Sequence, residues 1–280
     1  MSYVIHGATG AQGAPVAAAL AAAGTPVTAL TRNADAVVAG ARVRAVDLGA
    51  TEALTDAYRG AAGVFVHLPI GAPEDRLRHA RSVVAALEAA RPGRVVFSTS
   101  GGGPVAAADP AVAAVIDGLG RSGLSHAVVA PRLFLENLLL PPVVTGAREQ
   151  GVLRYPLPAG HPVSWSSHLD VADAVAALFD RPDVTGLVEV GLHPALTGPE
   201  LAEAFTAHLG HAVRYEALAP AAFGGLIAPL LGPGAAAGIA GLYDFLGTLP
   251  DNAITPDRSA STVLGLPSRT VLQWLADAVR

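Results

Sequence analysis

The sequence predicts a doubly wound α/β fold built on a parallel sheet, and three observations carry that expectation. Short apolar, β-rich runs alternate with longer alanine-rich segments along most of the chain. Runs that are apolar throughout suit strands covered by helices on both faces. The first run, Tyr3-Val4-Ile5, leads at once into Gly7-Ala8-Thr9-Gly10-Ala11-Gln12-Gly13 and then the alanine-rich stretch Ala14 to Ala23, which reads as strand, glycine turn and helix. A second run, Val27 to Thr31, follows at the distance a βαβ unit requires.

The remaining strand candidates are Val43 to Val46, Val64 to Leu68, Arg94 to Ser98, Ala127 to Ala130 and Leu187 to Val190. Between them the helices are Thr51 to Tyr58, Pro73 to Ala90, Ala111 to Arg121 and Leu169 to Phe179. A β-hairpin is expected around Arg154 to Leu157. Residues 1–150 then form one domain, to which the chain returns around 166–193, and residues 151–280 form a smaller, mainly helical lobe. A chain of 280 residues is long enough for both. The stretch Leu218 to Tyr243 carries no charge and has the length of a bilayer span. Pro229, Pro233 and six glycines within it argue for two short buried helices broken near Gly232-Pro233-Gly234, because proline interrupts helix hydrogen bonding. No membrane span is expected.

A glycine turn feeding a helix N-terminus suits a phosphate, since glycine permits unusual torsions and close approach while the first-turn N–H groups and the helix dipole favour an anion. The first unit therefore reads as a nucleotide-binding Rossmann-type unit. The tip of the second strand discriminates between cofactors, because a carboxylate about 20 residues beyond the glycines would bind an NAD ribose. Here the tip is Thr31-Arg32-Asn33, and an arginine fork suits a 2′-phosphate. NADP(H) is expected in preference to NAD(H).

Composition excludes several classes. With 51% hydrophobic residues the chain is no candidate for disorder. A formal charge of −5 without any basic run disfavours a nucleic-acid surface. There is no cysteine, which removes thiolate catalysis and cysteine metal sites, and with no apolar leader before the first strand a cytoplasmic location is expected. All 18 basic residues counted as Lys or Arg are arginine. That removes a Schiff base, a P-loop lysine and the Tyr-x-x-x-Lys pair of typical short-chain dehydrogenases. No Gly-x-Ser-x-Gly elbow is present. His161 and His168 lack a nearby carboxylate partner set, so no metal is expected.

Ligands of such sheets sit beyond the carboxyl ends of the strands. The cofactor candidates are accordingly Gly7, Thr9, Gly10, Ala11, Gln12 and Gly13 after the first strand, Arg32 after the second, and Asp47 and Leu48 after the third. His67, Leu68 and Pro69 follow the fourth strand, Ser98 and Thr99 the fifth, and Pro131, Leu133 and Phe134 the sixth. Candidate catalytic residues are His67, Ser100 and Asn137. The His67 imidazole titrates near neutrality and either transfers a proton or packs beside the cofactor, Ser100 offers a hydroxyl, and Asn137 hydrogen-bonds a carbonyl without titrating. An apolar substrate pocket is expected from Phe134, Leu138, Trp165, His168, Phe223 and Tyr243, which suits a flat hydrophobic or aromatic substrate.

The chain resembles the NmrA-like branch of atypical short-chain dehydrogenases and reductases. The resemblance rests on the glycine segment, Leu30-Thr31-Arg32-Asn33, Val64 to Pro69, the segment Ser122-Gly123-Leu124 through Pro131-Arg132-Leu133-Phe134-Leu135-Glu136-Asn137-Leu138, His168 to Ala174, and a tail from Asn252 to Leu275. It implies a Rossmann domain with a small C-terminal substrate lobe and NADPH-dependent reduction of quinones or related conjugated aromatics, with redox-sensing regulation in some members. Two positions depart from the pattern: Val112 stands where many relatives carry lysine, and Ala130 where they usually carry arginine. The expected function is an NADPH-dependent oxidoreductase transferring hydride to a quinone or related conjugated aromatic carbonyl compound. The alternatives are a non-redox tailoring enzyme in aromatic metabolite biosynthesis (coupling, elimination or isomerisation, with a retained nucleotide site) and an NADP(H)-binding redox-sensing regulator.

Overall fold

Tyr3–Ile5 forms β1, and the apolar runs that follow join it in one seven-stranded sheet. The computed structural model describes residues 1–101, 103 and 108–278. In chain order the sheet strands are β1, β2 (Val27–Thr31), β3 (Ala41–Ala45), β4 (Gly63–His67), β5 (Val95–Ser98), β6 (His126–Pro131) and β8 (Gly186–Val190). They lie in the order β3-β2-β1-β4-β5-β6-β8, and every adjacent pair is parallel. The chain runs outward from β1 through β3, then returns to β4 on the other side of β1. Such a reversal opens a crevice beyond the carboxyl ends of β1 and β4.

Among the described residues six helices accompany these strands: α1 (Gly13–Ala22), α2 (Thr51–Tyr58), α3 (Pro73–Ala90), α4 (Pro110–Ser122), α6 (His168–Asp180) and the short α10 (Ala260–Leu264). The strands are Val-rich because both faces are covered. Val4, Val64, Val66, Val95 and Phe97 share one core with Leu54, Val83, Leu87 and Val115 of α2, α3 and α4. Strand side chains alternate between faces. Ile5, Phe65 and Val96, which are fully or almost fully buried, therefore point to the opposite face, where α1 packs against α6. α3 starts on Pro73 with Glu74 and Asp75 in its first turn, and α4 is capped by Asp109, whose carboxylate accepts from Ala111 N at 2.8 Å. Buried Arg94 donates to the carbonyls of Leu178 (2.5 Å) and Val184 (2.6 Å), fastening β5 to the end of α6.

This first compact unit comprises residues 1–131, 168–190 and 257–266, and the second comprises 132–167, 191–256 and 267–280. The second unit contains a 3-10 turn (Leu135–Leu139), α5 (Pro141–Gln150), β7 (Val152–Tyr155), α7 (Gly198–Leu209), β9 (Arg214–Ala217), α8 (Pro220–Leu231), α9 (Pro233–Thr248) and α11 (Val271–Ala278). The hairpin expected around Arg154 to Leu157 is absent: β7 pairs with β9, in parallel. Pro156 and Pro158 have no N–H to extend an antiparallel ladder, and a parallel partner must arrive through a crossover.

The uncharged stretch does form two helices broken at Gly232, whose φ of 84° is left-handed. They are not buried throughout, contrary to expectation. Phe223, Ile227, Ala236, Tyr243 and Leu246 face inward, while Leu226, Leu230, Leu231 and Phe245 are each about half exposed. Alanine and glycine occupy much of the outer face, so composition does not mark it as exposed. Among the described residues no helix is long and apolar enough to cross a membrane.

Candidate functional site

A cavity of about 540 Å³ opens at the carboxyl ends of β1, β2, β3 and β4. Gly7, Thr9 and Gly10 line it from the turn after β1, Leu30 to Asn33 from the end of β2, and Val46, Asp47 and Leu48 from the segment after β3. His67 and Pro69 contribute from the end of β4, and Asp75, Arg78 and His79 from α3. Its volume lies within the roughly 300–1,000 Å³ of small-molecule sites.

Each glycine of the turn has its own physical task. Gly7 has φ 56°, and a Cβ there would lie 2.5 Å from His67 Nε2. Gly10 N donates to Gly7 O at 2.7 Å, closing the turn. At Gly13 a Cβ would sit 2.3 Å from the carbonyl oxygens of both His6 and Gly7, so only glycine lets α1 pack this closely on the strand end. No side chain caps α1 and no acid occupies its first turn. Its first N–H groups therefore favour an anion.

Not every predicted cofactor residue turns toward this cavity. Leu68 is packed into the core shared with α2, α3 and α4. Gln12 and Ser98 are committed to one another, with Ser98 Oγ donating to Gln12 Oε1 at 2.8 Å in a buried position. Asp47 Oδ1 accepts from Gly49 N at 2.6 Å, fixing the loop after β3. Ser100 has φ 66°, a strained conformation for a residue with a Cβ. Among the described residues neither Thr99 Oγ1 nor Ser100 Oγ, both buried, has a hydrogen-bond partner.

Histidines surround the glycine turn. His67 Nε2 is buried and unpartnered among the described residues. Burial lowers the His67 pKa, partly offset by backbone groups of Leu68 and His6. His6 is hydrogen-bonded to Tyr58, Nε2 to phenolic oxygen at 2.7 Å, with the two rings stacked. Burial, reinforced by repulsion from His67, lowers the His6 pKa to about 3. His168, the first residue of α6, is lowered to about 4 for the same two reasons. All three rings are thus held neutral near pH 7. His6 and Tyr58 are not among the residues expected from sequence; a histidine immediately before the glycine turn, after the apolar run of β1, is the signal that points to them.

Within the second unit, Trp165, Phe223 and Tyr243 gather around Tyr155, with ring centroids 5.3, 5.7 and 5.3 Å from it. The Tyr155 and Tyr243 hydroxyls are hydrogen-bonded to each other, and the Asn137 side chain hydrogen-bonds both. Burial raises both phenols, Tyr243 to about 12 and Tyr155 well above its ordinary value. Leu138 is fully buried, and Glu136 accepts from Trp274 Nε1 at 3.1 Å. Tyr243 also lines a cavity of about 520 Å³ with Asp244, Gly247 and prolines 156, 158 and 220. Of the six predicted pocket residues, His168 belongs to the first unit and the other five to the second. Tyr155, the centre of the cluster, carries no sequence signal. Among the described residues no group of three His, Asp or Glu side chains is placed to hold a metal ion.

A model of the NmrA-like family matches residues 3–254 of this sequence. The chain belongs to the NmrA-like family. It is 30% identical to the NAD(P)H azoreductase of Xenophilus azovorans over an alignment covering 77% of this chain and 76% of that protein. Its fold is similar to an NADPH-dependent quinone oxidoreductase of Escherichia coli complexed with NADPH (TM-score 0.76, 23% identity, 99% of this chain and 100% of that one). It is also similar to the triphenylmethane reductase of Citrobacter sp. complexed with NADP(H) (TM-score 0.82, 18% identity, 99% and 100% covered). In this NmrA-like chain Val112 is a core residue and Ala130 is buried on β6. Neither side chain can carry a charge or make a hydrogen bond. A nicotinamide dinucleotide fits the residues that remain: a cradle that a Cβ would fill, an uncapped helix start and an orphaned imidazole nitrogen.

Proposed function

We propose that this NmrA-like oxidoreductase uses NADPH, in preference to NADH, to reduce a quinone or a related conjugated aromatic carbonyl compound. The observation that carries this reading is the cavity running from the glycine turn to Arg32, with the orphaned His67 Nε2 facing its cradle. The kinds of acceptor named for the azoreductase, the quinone oxidoreductase and the triphenylmethane reductase support it.

A nicotinamide, when bound, supplies a hydride. The N–H groups of Ala11, Gln12 and Gly13, with Thr9 and Gly10, hold the pyrophosphate, and Arg32 takes the 2′-phosphate. Asp47, Leu48 and Pro69 would bound the adenosine side, and Thr99 and Pro131 would serve the nicotinamide half. His67, neutral at pH 7, would act as a relay, one ring nitrogen giving its N–H proton to the reduced acceptor oxygen while the other takes one up from water. Ser100, whose buried hydroxyl has no partner among the described residues, would orient the acceptor carbonyl. The second unit is the substrate lobe; its aromatic cluster is itself buried, and the cavity that Tyr243 borders would take a flat apolar molecule.

Fluorescence titration tests the cofactor assignment: wild type binds NADPH more tightly than NADH, and Arg32→Ala weakens NADPH about tenfold with little effect on NADH. Equal losses for both cofactors remove Arg32 from this role. A quinone panel scored by NADPH oxidation then tests the reaction. A second reading, non-redox conversion of an aromatic metabolite, draws on the complete absence of lysine and the buried valine at position 112. It predicts NADPH binding without NADPH consumption.

A further inference from the structure

Arg78 lies in the second turn of α3 and lines the same cavity as Arg32. Three neighbours define its position. Its Nη2 donates to Asp75 Oδ1 at 2.7 Å, one helical turn back. Its guanidinium lies over Gly49 so closely that a Cβ there would be 2.3 Å from Nη1. Asp47, from the loop after β3, attracts the same cation. The guanidinium is thus held between two carboxylates, and both of those carboxylates also line the cavity.

That arrangement has an electrostatic consequence for any phosphate entering beside Arg32. Without Arg78, one guanidinium would face Asp47 and Asp75, a net negative lining that disfavours a phosphate dianion. With Arg78, the two arginines balance the two carboxylates. A guanidinium offers five N–H donors, and the hydrogen bond to Asp75 engages one of them. Two guanidinium forks converging on one phosphate is the arrangement arginine serves best.

Resting on the NADPH reading above, we infer that Arg78 is the second guanidinium of the 2′-phosphate site and sets cofactor discrimination together with Arg32. Gly49 is the notch that holds it there. Asp75 restrains it and competes with the phosphate for it.

The test uses the adenosine halves of the two cofactors, 2′,5′-ADP and 5′-AMP, titrated calorimetrically into the full chain, so that no turnover is involved. Wild type binds 2′,5′-ADP more tightly. Arg78→Gln lowers 2′,5′-ADP affinity about tenfold while 5′-AMP changes by less than about twofold. Gly49→Ala keeps every charge but displaces the guanidinium with a methyl group, and lowers 2′,5′-ADP affinity about threefold. Asp75→Asn raises it. If Arg32→Ala collapses the preference while Arg78→Gln leaves it intact, this inference fails and the NADPH reading stands. If Arg78→Gln weakens both ligands equally, the side chain has only a packing role and the inference fails as well. Equal binding of both ligands by wild type overturns the NADPH preference itself.

Discussion

The cavity beside the glycine turn and the aromatic cluster of the second unit treat their polar groups in opposite ways. Around the turn, buried hydrogen-bonding atoms are left without partners: His67 Nε2, Thr99 Oγ1 and Ser100 Oγ among the described residues. In the cluster, the hydroxyls of Tyr155 and Tyr243 are bonded to one another and to Asn137. An unsatisfied buried polar atom costs roughly 1–3 kcal/mol. A fold tolerates that where a ligand completes the network, whereas a satisfied trio makes a fixed apolar floor. The contrast teaches that the cavity keeps hydrogen-bonding capacity open, whereas the cluster spends its own internally.

The comparison is broken most severely at Gly13. Gly13→Ala places a methyl group against two carbonyl oxygens and lowers stability by about 3 kcal/mol, with loss of NADPH binding, read by urea denaturation and titration. Retention of both would mean that α1 has room to retreat.

Acid attacks the histidine side of the comparison. His6 and His168 are held neutral, at about 3 and 4 against an ordinary 6.5. The unfolded chain takes up more protons once the pH falls below 6.5, so their contribution is fully present above 6.5 and is lost as pH falls toward 4. The melting temperature therefore declines over that window, and His168→Asn declines less steeply. Parallel curves for variant and wild type would remove His168 as the cause.

Tyr155→Phe sharpens the comparison from the cluster side. It removes one hydroxyl from the trio and costs about 1 kcal/mol, with kcat unchanged if the phenols are structural. A large fall in kcat at unchanged stability would instead make that phenol a proton donor. Smallest of all is Gly247→Ala in α9, where an added Cβ meets nothing within 4 Å. There the helix gains about 0.5–1 kcal/mol, the reverse of Gly13. Calorimetric melting distinguishes the two glycines.

Much of the first unit is legible in the sequence because its signals are local. Apolar, β-rich runs alternating with alanine-rich segments mark the strands, and α2 and α3 begin and end where Thr51 to Tyr58 and Pro73 to Ala90 are expected. Arg32 follows β2 directly, so its place beside the cavity depends only on strand length. The second unit is less legible. The hairpin failed because parallel pairing of β7 with β9 leaves no turn signature, and the outer face of α8 and α9 was hidden by alanine and glycine.

Strand, turn and helix preferences act over a few residues, and they suffice for the sheet, the glycine cradle and the position of Arg32. Tertiary structure decided which side chains meet. His6 finds Tyr58, Arg78 finds Gly49, and Tyr155 finds Tyr243 only after separate elements have packed. Each of those pairings depends on distance and burial between segments far apart in sequence, quantities that no local pattern of residues encodes.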